Sequence, residues 1–397
     1  MGRRSAPAHA RRRPLWRRVA RRIALVGLVL LLLVGALGAV SVAGALRRPG
    51  NESFTAKWAD WVRDHGGAGI ITPIENWWYE RQEPAKGGEP GKLNAIPTTA
   101  PTTTTRPVAT TTTAPPNPHL TPPTNVALVV DPALDGEGQW QPTGPLADGA
   151  PGVYVAQFRA DDVYTSQLTT AVWIDPTRLR TRFVAGAEEP GGTWSRPPVI
   201  AGADLPGIVG AFNGGFRFKD ARGGCYLDKT EAVPLQEGAA SIAITSAGKV
   251  NIGVWGRDFG MSPDTEAVLQ NLTLLVDGGQ IDPSVSHNDT KAWGYTLKGN
   301  IAVARSGIGI TADGALLYVA GPALTAKTLA ESLQRAGALR AMTLDLNPEW
   351  VTFNFFTHPD PNDPTVVEGD KLYPQMQRSA NRYLDTESRD FFTLSTS

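Results

Sequence analysis

Residues 325–347 read TAKTLAESLQRAGALRAMTLDLN. Leu329, Leu333 and Ala336 recur at spacings of four and three, which places them on one face of a helix. Thr325 stands where an N-cap belongs, and Gly337 where a helix stops. The residues that follow, LRAMTLDLN, read as a strand, so a helix runs straight into a strand and packs on a sheet. Around this unit lie NVALVV, GVYVAQFRA, QLTTAVWID, TRFVAGA, SIAITSAGKVNIGVW, LTLLVDGG, GNIAVARSGIGI and ALLYVAG. They are short, rich in β-branched and aromatic residues, and separated by Gly, Pro, Asp and Asn turns, the pattern of strands. The expectation is an α+β fold: a β-rich mixed sheet domain with few helices, spanning residues 125–397. No repeat of the length used by propellers or solenoids is visible.

The chain upstream is of a different kind. Nine arginines and no acid lie in the first 22 residues, so of 38 basic residues only 29 remain to face 38 acidic ones in the rest. That mildly acidic body argues against a nucleic-acid partner, which needs clustered Lys and Arg. Residues 1–22 read as a basic cytoplasmic tail and 23–46, uncharged and apolar throughout, as a transmembrane signal anchor. The arginines hold the N-terminus inside, and everything after Leu46 is expected outside, at the plasma membrane as a single-pass protein. Within residues 47–94, a juxtamembrane Trp-rich helical segment, Phe54, Trp58, Trp61 and Val62 share a helical face. That segment either lies on the headgroup region or docks on the body. Residues 95–124 are a Thr/Pro-rich linker, whose composition buries no core and favours an extended, solvated stalk without fixed structure. The single cysteine, Cys225, permits no internal disulfide and reads as a semi-buried thiol.

Three stretches put polar groups where a core strand should end: Asn213-Gly214-Gly215, Arg305-Ser306-Gly307-Ile308-Gly309, and Asp345-Leu346-Asn347-Pro348-Glu349. Asn-Gly-Gly makes a sharp turn, and it equally lets main-chain N–H groups approach a ligand. Arg305 after an apolar run needs either an acid of its own protein or an anionic ligand. Asp345 ends an apolar strand, where a carboxylate is either a loop cap or a catalytic group. Asp277 in VDGG fits a hairpin turn; His287 and His358 sit in polar loops, and oxygen-rich turns beside them leave a divalent cation open without a defined loop. No cofactor is indicated.

Taken together, the FNGGF turn, the ARSGIGI strand followed by TADG, and the T..LAE.L...GA helix leading into TLD resemble the phosphodiester glycosidase family, in that order along the chain. The family includes the uncovering enzyme, which removes N-acetylglucosamine from sugar-phosphate diesters. The resemblance runs from Val153 to the C-terminus, and the anchor and stalk outside it resemble those of exported actinobacterial members. It implies an α+β domain that hydrolyses the bond between an anomeric carbon and a phosphate oxygen. Asn213, Gly214, Gly215 and Arg305 align with substrate-binding positions and Asp345 with a catalytic one; Asn347 would line the same pocket. Where the family carries LDGGGS this chain has LDLNPEW, and Glu349 would supply a second carboxylate. In mechanism, Arg305 would clamp phosphate, Asp345 would be base or nucleophile, and Glu349 its partner.

The resulting expectation is a membrane-anchored extracytoplasmic hydrolase that cleaves the glycosyl-phosphate bond of sugar-phosphate diesters in cell-envelope polymers. The alternatives are a catalytically altered member that binds cell-wall polysaccharide, and a structural tether.

Overall fold

The computed structural model describes residues 15–96, 119–121, 123–147, 149–287, 293–294 and 300–396. Most of the expected Thr/Pro linker and of the basic tail lies outside the described residues, as do Asn288 and Asp289. Residues 1–48 and 54–68 form one compact unit; residues 49–53 and 69–397 form another.

In the first unit, α1 (Leu15–Leu46) contains the 28-residue span Val19–Leu46, whose 18-residue apolar window has a mean hydropathy of 2.9 and is not buried. At 1.5 Å per residue such a helix is ~42 Å long, enough to cross a bilayer core of about 30 Å. The shared face expected for Phe54–Val62 forms α2 (Phe54–Val62). Its Trp58 Nε1 donates to Ser41 Oγ at 3.1 Å, and Trp61 lies against Gly44, where a Cβ would stand 1.9 Å from the indole nitrogen. Gly44 is therefore the residue that lets α2 seat on α1. Phe54 remains 45% exposed.

The second unit holds the body. Helix α3 (Ala68–Arg81) turns Ile70, Ile74, Trp77 and Trp78 outward, at helical spacings of four, three and one, while Tyr79 packs against Phe216, Leu272 and Val303. The chain after it is bonded to the body: Gly87 N–H donates to Val163 O, and the Gln157 side chain exchanges two hydrogen bonds with the Asn94 backbone.

Three sheets follow. The largest has the order β1-β2-β3-β14-β13-β15-β11-β12, with β1 Gln141–Ala147, β2 Ala150–Phe158, β3 Thr169–Ile174, β11 Leu274–Asp277, β12 Gln280–Ile281, β13 Val303–Ile310, β14 Leu316–Leu324 and β15 Arg340–Leu346. A second has the order β17-β16-β5-β18-β4, from β4 Leu179–Val184, β5 Ile208–Asn213, β16 Phe353–Thr357, β17 Glu368–Lys371 and β18 Phe391–Thr396. The third, β7-β6-β10-β8-β9, comprises β6 Cys225–Leu227, β7 Thr230–Val233, β8 Ala240–Thr245, β9 Val250–Val254 and β10 Thr265–Gln270. Every ladder between these strands is antiparallel. The sheets are therefore antiparallel rather than mixed, and β14 and β15 both pair antiparallel to β13, which lies between them.

One core joins the inward faces of all three sheets; in it the Phe212 ring meets those of Tyr318, Phe353 and Phe392, and Tyr318 also meets Phe353. After α3, the helices among the described residues of this unit include the short α4 (Phe218–Ala221) and the longer α5 (Ala326–Arg335). Thr325 caps it as expected, with a reciprocal bond from Thr328, and Gly337 leaves it at φ +102°. Leu329 and Leu333 are buried on the large sheet, directly over Gly307 of β13, where a Cβ would lie 2.9 Å from Leu333 Cδ1. Burying each leucine contributes about 2 kcal/mol.

NVALVV departs from expectation. Val126 is buried and donates to Gly138 O, but Leu128 and Val129 face outward and no ladder forms, because no neighbouring strand offers its edge there. Cys225 is fully buried, not semi-buried, and burial, aided by Asp390 and Glu189, pushes its thiol up out of the range of a reactive thiolate.

Candidate functional site

The Asn213-Gly214-Gly215 turn closes β5 where the three sheets meet. The Asn213 carboxamide is used entirely by the protein. Its Oδ1 accepts from Tyr318 OH at 3.0 Å and from Thr352 N–H at 3.2 Å; its Nδ2 donates to Gly214 O at 2.8 Å and Ser306 Oγ at 3.1 Å. A residue 4% exposed with that many bonds holds β5, β13, β14 and the entrance to β16 in register. Gly215 approaches Asn271, whose Nδ2 donates to Thr343 O and Leu344 O and whose Oδ1 is buried without a hydrogen-bond partner.

Those two carbonyls belong to a bulge. Between the Arg305–Leu346 and Gly307–Thr343 pairs, β13 advances two residues while β15 advances three. The extra residue falls at Leu344–Asp345, and a bulge re-aims a side chain. Asp345 is bonded there by Ser306, whose Oγ accepts the Asp345 N–H at 3.2 Å and lies 3.3 Å from its carbonyl oxygen. Asp345 Oδ1 takes the Leu346 N–H at 2.7 Å, and Oδ2 stands 3.4 Å from Arg389 Nη1. The Arg389 guanidinium lies 3.8 Å over the Trp350 ring. The structure thus brings Asn213, the two glycines and Asp345 together through Ser306.

Arg305 is placed elsewhere. Ser306 and Ile308 point to the inner core, so Arg305 and Gly307 take the opposite face of β13, beneath α5. Its Nε donates to Leu324 O at 2.7 Å and its Nη2 to Ile301 O at 3.4 Å. Complete burial pushes its pKa down to about 10. Among the described residues, a cation that reaches Asp345 is Arg389, which the sequence does not single out.

In LDLNPEW the work of the missing glycines falls to Asn347. It adopts φ +132°, a region that costs a non-glycine residue about 1–3 kcal/mol, and repays part of this through its side chain, which accepts the Glu349 N–H at 2.8 Å. The Asn347 carbonyl then receives Trp350 and Val351 N–H groups, so the segment is a closed turn. A cleft of ≈ 210 Å³ opens beside Pro348, lined also by Ala304, Val351, Tyr373 and Met376. Glu349 is engaged: Oε1 accepts the Ser53 N–H at 2.8 Å, Oε2 the Ser53 hydroxyl at 3.0 Å, and Arg378 Nη1 is 3.6 Å away. Behind it Glu387, fully buried, pairs with Arg378 and Arg382, and Asn51 also binds Arg378.

Of the weaker candidates, Asp277 ends β11 in a hairpin with Gly278 and Gly279 and binds Arg257 at 2.6 Å, a turn residue in an ion pair. His358 bonds the carbonyls of Pro364 and Ile208. Among the described residues no three His, Cys, Asp or Glu side chains gather as metal ligands do.

Sequence reasoning missed Asn271, Arg378, Arg382, Glu387, Arg389 and Asp390. A signal existed for the last three: ESRD, three charges in four residues, directly before the apolar FFTLST of β18. Charges entering a core strand call for partners.

An antiparallel α+β domain with buried carboxylates and arginines around an Asn-Gly-Gly turn is the class that fold and site define. Residues 206–345 match the family model of phosphodiester glycosidase, a segment that begins just before β5 and ends on Asp345. The chain therefore carries a phosphodiester glycosidase-like domain, together with an N-terminal apolar helix. Among solved structures, it is similar to the catalytic domain of zebrafish N-acetylglucosamine-1-phosphodiester alpha-N-acetylglucosaminidase, determined in a form auto-inhibited by its pro-peptide, at 11% identity over 65% of this chain and 88% of that one, with a TM-score of 0.38. A hypothetical protein from Synechocystis shows 12% identity over 65% of this chain and 64% of that one, with a TM-score of 0.35. No curated protein matches by sequence.

Proposed function

We propose that this protein hydrolyses the bond between an anomeric carbon and a phosphate oxygen in sugar-phosphate diesters, outside the membrane that α1 anchors it to. The observation that carries the reading is the family match over residues 206–345, which spans the Asn-Gly-Gly turn and ends on the aspartate that Arg389 meets. Asp345 acts as base or nucleophile toward the anomeric carbon. Arg389, whose planar fork suits two phosphate oxygens, neutralises the departing phosphate in the role first given to Arg305. Glu349 joins as a second carboxylate only by exchanging Ser53 for substrate. The substrate is a sugar-phosphate diester of a cell-envelope polymer or a fragment of one.

The test is hydrolysis of a panel of sugar-1-phosphate diesters by the full chain in detergent. Release of free sugar and phosphomonoester supports the reading. The rewritten LDLNPEW turn favours a second reading, a wall-polysaccharide binding module, and retention of polymer without turnover of any diester would establish that one instead.

The anchored, outward placement rests on the apolar run from Ile23 to Leu46, the nine arginines before it and the outward Ile70, Ile74, Trp77 and Trp78 of α3. Protease added to intact cells is expected to remove the body and leave a membrane-embedded N-terminal stub. A body protected from external protease would place it on the inner side.

A further inference from the structure

Asp390 is the last residue before β18 and is 4% exposed. Its carbonyl oxygen accepts the Gly214 N–H at 3.1 Å, and its carboxyl receives the Gly215 N–H. Its Oδ2 is buried without a hydrogen-bond partner. That oxygen is pressed against the Asn-Gly-Gly turn: a Cβ on Gly214 would stand 1.8 Å from it, which is the reason position 214 is glycine. An ionised carboxylate with a bare buried oxygen is costly, whereas a neutral carboxyl carries its proton on that oxygen.

The groups around Asp390 agree. Burial is the largest influence and the Glu189 carboxylate, itself held by Arg217 and the Phe218 N–H, adds repulsion; Arg389 opposes both. Cys225 and Tyr383, the other titratable neighbours, are both pushed up and so neutral. The balance lifts Asp390 to about 8. The side chain next to it in the chain, Arg389, is the one that meets Asp345.

We propose that Asp390 is the proton donor of the hydrolysis, giving the proton of its neutral carboxyl to the phosphate oxygen that leaves the anomeric carbon. The inference rests on the reading above and deepens it. With Asp345 as base, water adds to the anomeric carbon and yields a proton to Asp345. The carbon–oxygen bond to phosphate breaks with its electron pair on oxygen, and that oxygen takes the Asp390 proton. Free sugar and phosphomonoester depart, Asp345 is left protonated and Asp390 ionised, and solvent returns one proton between them.

The test compares the full chain with Asp390→Asn on a sugar-1-phosphate diester and on the glycosyl fluoride of the same sugar, whose leaving group needs no proton. The expected loss in kcat is about 100-fold on the diester, with the fluoride within about tenfold of the parent. The alkaline limb of the parent's kcat/KM near pH 8 should vanish in the variant. Equal losses on both substrates would make Asp390 a support for the turn and overturn the donor role.

Thermal stability against pH gives a readout apart from activity. A carboxyl raised from 3.8 to about 8 on folding contributes stability that is full below pH 3.8 and is lost as pH rises to about 8. The parent should therefore lose stability relative to Asp390→Asn across that window and run level with it above. A difference that stays flat from pH 4 to 8 overturns the neutral carboxyl. A parent that turns over neither substrate overturns the hydrolase reading and the donor role with it, while the stability profile still shows whether Asp390 holds a proton.

Discussion

Asp345→Asn is expected to lower kcat for diester hydrolysis by about 10³-fold with little change in KM, since in the proposed mechanism the carboxylate acts on the reacting carbon in the transition state. The substitution is close to isosteric. Asparagine Oδ1 can keep the 2.7 Å bond from Leu346 N–H, and the Ser306 contacts are to backbone atoms and stay. What is lost is the charge facing Arg389, a pair whose side chains are 12% and 5% exposed. Thermal melting should fall by several degrees, consistent with a loss of about 3 kcal/mol when one charge of a buried pair is removed. Near-wild-type turnover by a folded Asp345→Asn protein would remove Asp345 from the chemistry and leave Arg389 and the bulge as structural features.

The α5–β15 unit was legible because each of its signals is local: a cap, a face of leucines, a glycine stop and an apolar run. NVALVV was not, because a strand needs an edge to pair with and its own six residues carry no information about that edge. At the candidate site the contacts differ from those the sequence suggests. Asn213 was read as a group facing a ligand, yet its four polar contacts tie strands together. The resemblance implies that Arg305 and Asp345 serve one site, yet alternation along β13 sends Arg305 beneath α5, while a one-residue bulge in β15 turns Asp345 toward Arg389. A bulge leaves no mark in a single sequence unless a glycine signals it. The residues that complete the site arrive 44 and 45 positions after Asp345, with the last strand, and only the fold brings ESRD back to β5. LDLNPEW shows the converse: proline and glutamate look disruptive beside a glycine-rich pattern, and Asn347 restores the turn by taking the positive φ itself.

Glu387→Ala is expected to carry the largest stability cost of any single substitution at the site. Glu387 is fully buried and its two oxygens serve Arg382, through Nε at 3.2 Å and through Nη2, and Arg378 at 3.2 Å. Burial alone would lower the pKa of Arg382; Glu387 outweighs it and holds the guanidinium more firmly charged than usual. Alanine leaves two buried cations with one acid fewer between them, a change that costs about 3–5 kcal/mol out of a total of about 5–15 kcal/mol for a domain. At roughly 3 °C per kcal/mol, melting should drop by about 10 °C or more. The damage extends to the turn: Arg382 Nη1 holds Thr352 Oγ1 at 2.7 Å, and the Thr352 N–H is a ligand of Asn213 Oδ1. Asn213 contacts should therefore loosen, and activity should fall even at temperatures where the variant is folded. Glu387→Gln keeps the shape and two acceptor lone pairs, so it should lose less. Combining Glu387→Ala with Arg382→Met should recover part of the loss, because the second change removes one of the uncompensated charges. If Glu387→Ala melts with the parent, the arginines are solvated, and their stacking on Trp350 and Tyr383 then carries the C-terminal segment without help from the carboxylate.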